Sequence, residues 1–379
     1  MQSGEECLAW VSLTRAPALD VAAVSRALEV IGPAHQIVRA SSAAYERAGL
    51  PAAAREFLSS ADAAPTAAER AWLEHPRHHI VPFTDSRYPA LLRTTQRHPL
   101  ALYVAGNPAV LSDPQLAIVG SRNPTPQGEE TSRGFAEHLA ARGLAITSGL
   151  AAGIDSAAHR GALMAQGITL AVLGSGADVI YPHGNQPLAE EIQWQGAVLS
   201  AFPLGAPPRR EHFPQRNAII AGLSLGTLVV EAARSSGSLI TARLAADLGR
   251  EVFAIPGSIH SPLSRGCHEL LRQGAKLAES AHDILSELNF SAFFAHTRAT
   301  GSEGAAGPDT DAMPASGMDK EHKILLDALG FDPADLDVLV VRTGFKPEAV
   351  SSMMLILELE GHVQAAPGGR YSRVVRSRR

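Results

Sequence analysis

The 379-residue sequence predicts an α/β fold with a parallel-sheet core. Three observations predict it. Between about residues 115 and 280, short apolar runs alternate with helical stretches of roughly 10–15 residues, the pattern of βαβ units. Glycine turns follow several of these runs, where parallel strands deliver the chain to a ligand crevice. A run of Ala, Gly, Ser, Thr and Pro at 295–318 then separates this region from a compact tail. The core reads as a Rossmann-like domain at 115–294. Before it lie a helical domain (1–75) and a connector (76–114); after it come a flexible linker (295–318) and a winged-helix domain (319–379).

In order, Asp20 is a cap for a helix running to about Val30, which Gly32-Pro33 ends. A second helical stretch lies near Pro51–Ser60. In the connector, Ile80–Phe83 and Ala101–Val104 are apolar strand pieces, and Asp85–Pro89 between them is turn chemistry. Leu116–Val119 is the first core strand. It is followed by a helix from about Gln127 to Arg142, stopped by Gly143. The strand Leu144–Thr147, a helix at Asp155–Gln166 and the strand Thr169–Leu173 continue the series. Thr227–Val230, a helix near Ser238–Leu248 and the strand Glu251–Ile255 complete it. In the tail, helices fit Lys320–Leu329, Pro333–Arg342 and Pro347–Glu360. The last places Val350, Met353, Met354 and Leu357 at helical spacing. A hairpin at His362–Val375, turning at Pro367-Gly368-Gly369, completes a winged helix-turn-helix pattern.

Composition narrows the function. Two cysteines, Cys7 and Cys267, are too few for a disulfide scaffold or a Cys-based zinc site and fit a reducing cytoplasm. No His/Cys cluster has metal spacing. Neither a signal peptide nor an apolar run of the roughly 20 residues needed to span a bilayer is evident. The net charge of −5 argues against a broad DNA-coating surface, so a nucleic-acid contact would be focused or shared between subunits. The five arginines 370, 373, 376, 378 and 379 near the C-terminus read as a basic patch or as a solvated tail.

The candidate site lies in the glycine turns. Gly120-Ser121-Arg122 follows the first core strand; glycine allows close backbone approach and Arg122 can grip a phosphate with two donors. Ser148-Gly149 leads to Asp155 at a helix N-terminus, which favours an anion. For Asp155 and His159 a capping or core role weighs about evenly with a site role, Asp155 reading more as a helix cap than as a ligand contact. Gly174-Ser175-Gly176 ends another strand. Arg216 and Asn217 precede the apolar stretch 218–222. Ser236, Gly237, Ser238 and Thr241 form the densest polar cluster. The bland readings are a tight turn at 120–122, a salt bridge for Arg216, and ordinary N-capping by Ser236 or Ser238. No GxGxxG fingerprint, P-loop, nucleophile elbow or nucleophile–base pair is present, so no cofactor is expected and the chain does not read as an enzyme.

Together these stretches resemble the bacterial DNA processing protein A family (DprA, also called Smf). The carrying residues are 117–122, 148–155 with 158–163, 172–176, 180–182, 213–224, 231–243 and 250–258. Asp85–Leu92 and Leu357–Tyr371 resemble its flanking segments, and the N-terminal helices its SAM-like domain. The resemblance implies a non-enzymatic protein that binds single-stranded DNA during natural transformation. It also implies a homodimer that displaces single-strand-binding protein and loads the RecA recombinase. The phosphate pocket it implies comprises Gly120, Ser121, Arg122, Arg216, Asn217 and Ser236-Gly237-Ser238. Four positions depart from the family pattern: Ala152 and Ala218 where arginine is common, His183 after Tyr-Pro, and Ala201 where an acid is usual. Two missing arginines would make the pocket less basic.

Two other readings remain open. Gly226-Thr227 with Glu231 is similar to a segment of the LOG-type nucleotide phosphoribohydrolases, in which an acid acts on a nucleotide monophosphate, although the preceding Pro-Gly-Gly is replaced by Leu223-Ser224-Leu225. A transcription regulator built on the tail domain is the third, weakened because Lys346 is the one basic residue near its recognition helix.

Overall fold

A computed structural model of the chain describes residues 4–288, 320–330, 333–359, 361–366 and 369–374. The 295–318 linker, the Pro367-Gly368 step and Arg376, Arg378 and Arg379 lie outside the described residues. The N-terminal region forms α1 (Gly4–Arg15), α2 (Val21–Val30), α3 (Ala34–Ile37), α4 (Ser42–Arg47), α5 (Ala52–Ser59) and α6 (Ala67–Glu74). Asp20 caps α2 as predicted, its carboxylate accepting the Ala23 N–H at 2.7 Å. These helices close over a core of their own that includes Trp10, Leu13, Ile37 and Tyr45.

The connector strands do more than link. β1 (His78–Pro82) and β2 (Ala101–Gly106), separated by the short α7 (Ala90–Arg93), pair antiparallel. β2 then pairs antiparallel with β6 (Ala197–Ser200), a strand that the sequence pattern does not announce. Along β2 the side chains alternate between two cores, as a period-2 strand dictates. Leu102 and Val104 enter the core of the sheet, whereas Ala101 and Tyr103 enter the helical bundle. The Tyr103 hydroxyl meets the Thr14 hydroxyl at 2.7 Å.

The central domain contains β3 (Gln115–Val119), α8 (Pro126–Ala140), β4 (Ala145–Ser148), α9 (Ile154–Met164), β5 (Thr169–Val172) and α10 (Gln186–Gln195), followed by β6. Then come α11 (His212–Leu223), β7 (Gly226–Val229), α12 (Ser238–Asp247), β8 (Glu251–Ala254), α13 (Arg265–Arg272), β9 (Lys276–Leu277) and α14 (Ala281–Glu287). The strand order is β1-β2-β6-β5-β4-β3-β7-β8-β9. From β6 to β9 every pairing is parallel. β3 is buried on both faces: Leu116 and Ile118 pack on one side, Ala117 and Val119 on the other. The chain winds outward from β3 to β6, then returns to place β7 on the opposite side of β3. That reversal opens a crevice at the carboxyl ends of β3 and β7, the place where open α/β sheets bind ligands.

The tail folds as α15 (Lys320–Leu329), β10 (Ala334–Asp335), α16 (Leu336–Thr343), α17 (Pro347–Leu359), β11 (Val363–Ala366) and β12 (Arg370–Arg373). The helix expected from Pro333 starts instead at Leu336, because Ala334 and Asp335 pair with β12. Asp335 caps it by accepting the Val338 N–H at 3.0 Å. Val350, Met353, Met354 and Leu357 are buried on one face of α17, as their spacing predicts. Three helices and a three-stranded wing make a winged helix. No helix among the described residues is long and apolar enough to cross a membrane.

Candidate nucleic-acid interface

At the switch point lies a cavity of about 480 Å³ lined by Gly120, Arg122, Ala151, Asp155, Arg210, Phe213, Arg216, Asn217, Ser236, Gly237, Ser238 and Thr241, among others. Each wall has a local cause. Gly120 ends β3 where a Cβ would come within 2.7 Å of the Ile154 side chain and 2.9 Å of the Glu231 carbonyl oxygen. Only glycine lets the chain turn there. Ser121 closes the turn: its carbonyl accepts the Ile154 N–H at 3.1 Å and its Oγ the Asn123 N–H at 3.1 Å. Arg122 is thereby delivered, exposed, to the mouth of the cavity.

Arg122 meets Phe213. Its guanidinium carbon lies 5.4 Å from the ring centroid, and that of Arg216 lies 5.9 Å from the same ring. Two cations therefore share one aromatic ring, each drawn by its quadrupole. Their mutual repulsion would be relieved by an anion between them. Arg216 is 5% exposed, and burial together with the Arg122 charge pushes its pKa below the usual arginine range. Its Nη1 lies 3.8 Å from Asp155 Oδ2, and its buried Nε has no hydrogen-bond partner among the described residues. Burial raises the Asp155 carboxyl above its ordinary value. Arg216 and the N–H groups of Ala151 (3.4 Å) and Gly149 (3.1 Å) oppose that rise.

The opposite wall is the start of α12. Gly237 occupies the N-cap position and has no side chain to cap with; the Ser236 hydroxyl before it accepts the Ser238 N–H at 3.4 Å. The Ser236 and Ser238 hydroxyls are 2.6 Å apart, and the Asn217 amide donates to the Gly237 carbonyl at 3.4 Å. Thr241 sits one turn further along. The partial positive charge of the helix N-terminus and three hydroxyls thus face the two guanidiniums.

Of the residues singled out from sequence, the structure brings Gly120, Arg122, Arg216, Asn217, Ser236, Gly237, Ser238 and Thr241 into this one cavity, with Ser121 in the turn behind. Ser148, Gly149, Gly174 and Gly176 lie off its lining. The Ser148 hydroxyl donates to the Ile118 carbonyl at 2.6 Å, stitching β4 to β3. Gly149 lies beneath Arg216, where a Cβ would overlap the guanidinium. Gly174 underlies Phe213 and its carbonyl accepts from His212 Nδ1 at 3.0 Å. The Gly176 N–H donates to the Ala206 carbonyl at 2.9 Å. His159 is a core residue: Nδ1 donates to the Thr169 hydroxyl at 2.7 Å, and that hydroxyl donates onward to the Ile146 carbonyl. Burial lowers its pKa to about 3. Both Glu231 oxygens are taken by Thr125, at 2.9 Å from the N–H and 2.6 Å from the hydroxyl, which fixes the entry to α8.

Arg210 and Ala151 were missed from sequence; Arg209-Arg210, three residues ahead of Phe213, was the available signal. Among the four departures, Ala152 is exposed beside pocket-lining Ala151, and His183 is exposed. Ala201 and Ala218 both border a second cavity of about 790 Å³, not the switch-point cavity. An arginine missing at 218 therefore takes no charge from the pocket lining itself.

The fold is an α/β core with a parallel sheet and a cavity at its switch point, preceded by a helical bundle and followed by a winged helix. Residues 79–289 match the family described as DNA recombination-mediator protein A, and residues 309–369 match the DprA winged helix domain. The chain belongs to the DNA recombination-mediator protein A family. It is 44% identical to Protein Smf of Escherichia coli over 299 residues, covering 79% of this chain and 78% of that one. The solved structure of DNA processing protein A from Streptococcus pneumoniae superposes with a TM-score of 0.64 at 36% identity, covering 76% of this chain and 99% of that one. DNA processing protein A from Helicobacter pylori, described for its single-stranded DNA binding mode, gives 0.50 at 30% identity, covering 54% and 93%.

Proposed function

We propose that this chain binds single-stranded DNA, seating a backbone phosphate between Arg122, Arg216 and the start of α12. The observation that carries this reading is the convergence of two guanidiniums on the Phe213 ring at a cavity whose far wall is the start of α12, where the Ser236 hydroxyl makes only a long 3.4 Å contact to the Ser238 N–H. The contacting set is Gly120, Arg122, Arg216, Asn217, Ser236, Gly237, Ser238 and Thr241. The pocket is small and the chain carries a net charge of −5, so affinity rests on this focused contact, repeated in a homodimer. In the cell the chain acts in the cytoplasm as a recombination mediator during natural transformation. It protects incoming single strands, displaces single-strand-binding protein and loads RecA recombinase, without catalysis of its own. The Helicobacter pylori relative, whose description names single-stranded DNA, supports the ligand.

Fluorescence anisotropy tests the reading, comparing oligo-dT, duplex DNA and free nucleotides across salt concentrations. Oligo-dT binds most tightly. Arg122→Ala weakens it and lowers the salt slope by about 0.7 for each phosphate no longer neutralised. A folded Arg122→Ala protein with unchanged affinity and slope would refute the proposal. A nucleotide hydrolase gains nothing from the geometry, because Glu231 is tied to Thr125 through both oxygens.

A further inference from the structure

The anion pocket contains a carboxylate. Asp155 and Arg216 both line it, and both are nearly fully buried. The other ionisable residues lining it, Arg122 and Arg210, are exposed at its mouth, where water screens them. The cavity floor is therefore an ion pair with no net charge, whereas the rim is cationic. A carboxylate is an odd choice for a floor meant only to attract anions. Asp155 is also costly to neutralise there, because Arg216 would be left buried without a counter-ion.

We propose that Asp155 is a selectivity determinant: it fits the pocket to a singly charged phosphodiester and rejects the doubly charged phosphate of a monoester. This rests on the single-stranded DNA reading above and deepens it. A phosphodiester brings one negative charge, which the rim arginines and the donors of Arg216 and α12 satisfy. A phosphate monoester brings nearly two at neutral pH, because its second pKa is about 6. The additional charge falls beside the buried Asp155 carboxylate, where low dielectric makes repulsion strong. Strand interiors are thereby favoured over free nucleotides and phosphorylated ends. The groups acting on Asp155 are Arg216 from α11, the N–H groups of Gly149 and Ala151 and the Ser148 side chain, with Arg122 and Arg210 on the rim of the same cavity; His159, further along α9, stays neutral.

The test displaces labelled oligo-dT with thymidine 5′-monophosphate and with its methyl ester, a diester of the same base and sugar. At pH 7.5 the wild-type protein favours the methyl ester by about tenfold. At pH 5.5 the monoester has become a monoanion and the preference falls below about threefold. Asp155→Asn keeps an oxygen for the Gly149 and Ala151 N–H groups but removes the charge; at pH 7.5 it loses most of the preference by gaining monoester affinity. Asp155→Glu keeps the charge and the preference, which guards against a folding artefact in the first variant. Equal weakening of both competitors by Asp155→Asn, or a wild-type protein that binds the monoester as well as the diester, overturns the proposal. Failure of oligo-dT to bind, or its indifference to Arg122→Ala, overturns instead the reading on which the proposal rests.

Discussion

Replacing Gly149 by alanine should disable the pocket from beneath. The glycine's backbone is not in the left-handed region, so alanine brings no conformational strain of its own. The added Cβ would overlap Nη1 and Cζ of Arg216 and lie 2.8 Å from Nη2. The Cβ is fixed to the backbone and cannot yield, so the guanidinium must move. Its 3.8 Å pairing with Asp155 is then broken. Breaking a buried ion pair costs about 3–5 kcal/mol when one charge is stranded. Arg216 can swing toward the water of the cavity, so the lower end, about 3 kcal/mol, applies. Domains of this kind have about 5–15 kcal/mol in hand, so the protein stays folded. In binding, one hydrogen bond to a charged group, worth about 1.5–3 kcal/mol, is misplaced, which is roughly a 10–150-fold rise in Kd. Urea denaturation and oligo-dT anisotropy measure the two effects. A double-mutant cycle isolates the cause: on an Arg216→Ala background, Gly149→Ala should change either quantity by less than about 0.5 kcal/mol. Equal losses on both backgrounds would show that Gly149 does not act through Arg216.

Two further outcomes follow from buried His159 and half-buried Glu231. His159 has a folded pKa of about 3, below its unfolded value of about 6.5. Protons therefore favour the unfolded chain between those values; stability from this group is complete above about pH 6.5 and falls by about 1.4 kcal/mol per unit as pH drops. His159→Gln should flatten that slope in denaturation curves from pH 7 to 5, and an unaltered slope would place the effect elsewhere. Glu231→Gln should lower the melting temperature by weakening the Thr125 tie, while incubation with AMP yields no free base from either protein; release of adenine by the wild type that the variant lacks would restore the hydrolase reading.

The strands that could be read from sequence were the ones flanked by glycine turns. Leu116–Val119 and Thr169–Leu173 announce themselves by an apolar run followed by Gly120 and by Gly174. β6 has no such punctuation: Ala197–Ser200 runs on to Ala201-Phe202 before any turn residue, and its antiparallel partner β2 lies more than 90 residues earlier, about the reach at which local pattern carries no information. α11 is visible only as an apolar stretch, because residues 219–223 are buried without interruption and show no helical face. At the site, the glycines and hydroxyls were legible as turn chemistry. The partnership of Asp155 with Arg216 was not, since the two residues are brought together by the sheet and by nothing in the local sequence. Gly149, Gly174 and Gly176 signalled close approach correctly, but what approaches is the protein itself: the Arg216 guanidinium, the Phe213 ring and the 203–206 loop.

The alternation of side chains along β2 sets how this molecule can be divided. With Tyr103 and Ala101 sunk in the helical bundle, and Leu102 and Val104 in the sheet, one strand serves as a party wall between two interiors. A fragment that begins after α6 would leave Ile80, Ala101 and Tyr103 as a bare apolar strip on an edge hairpin, an invitation to self-association. The bundle and the sheet should therefore melt as one cooperative unit, and amide exchange in α1 should track that of β2.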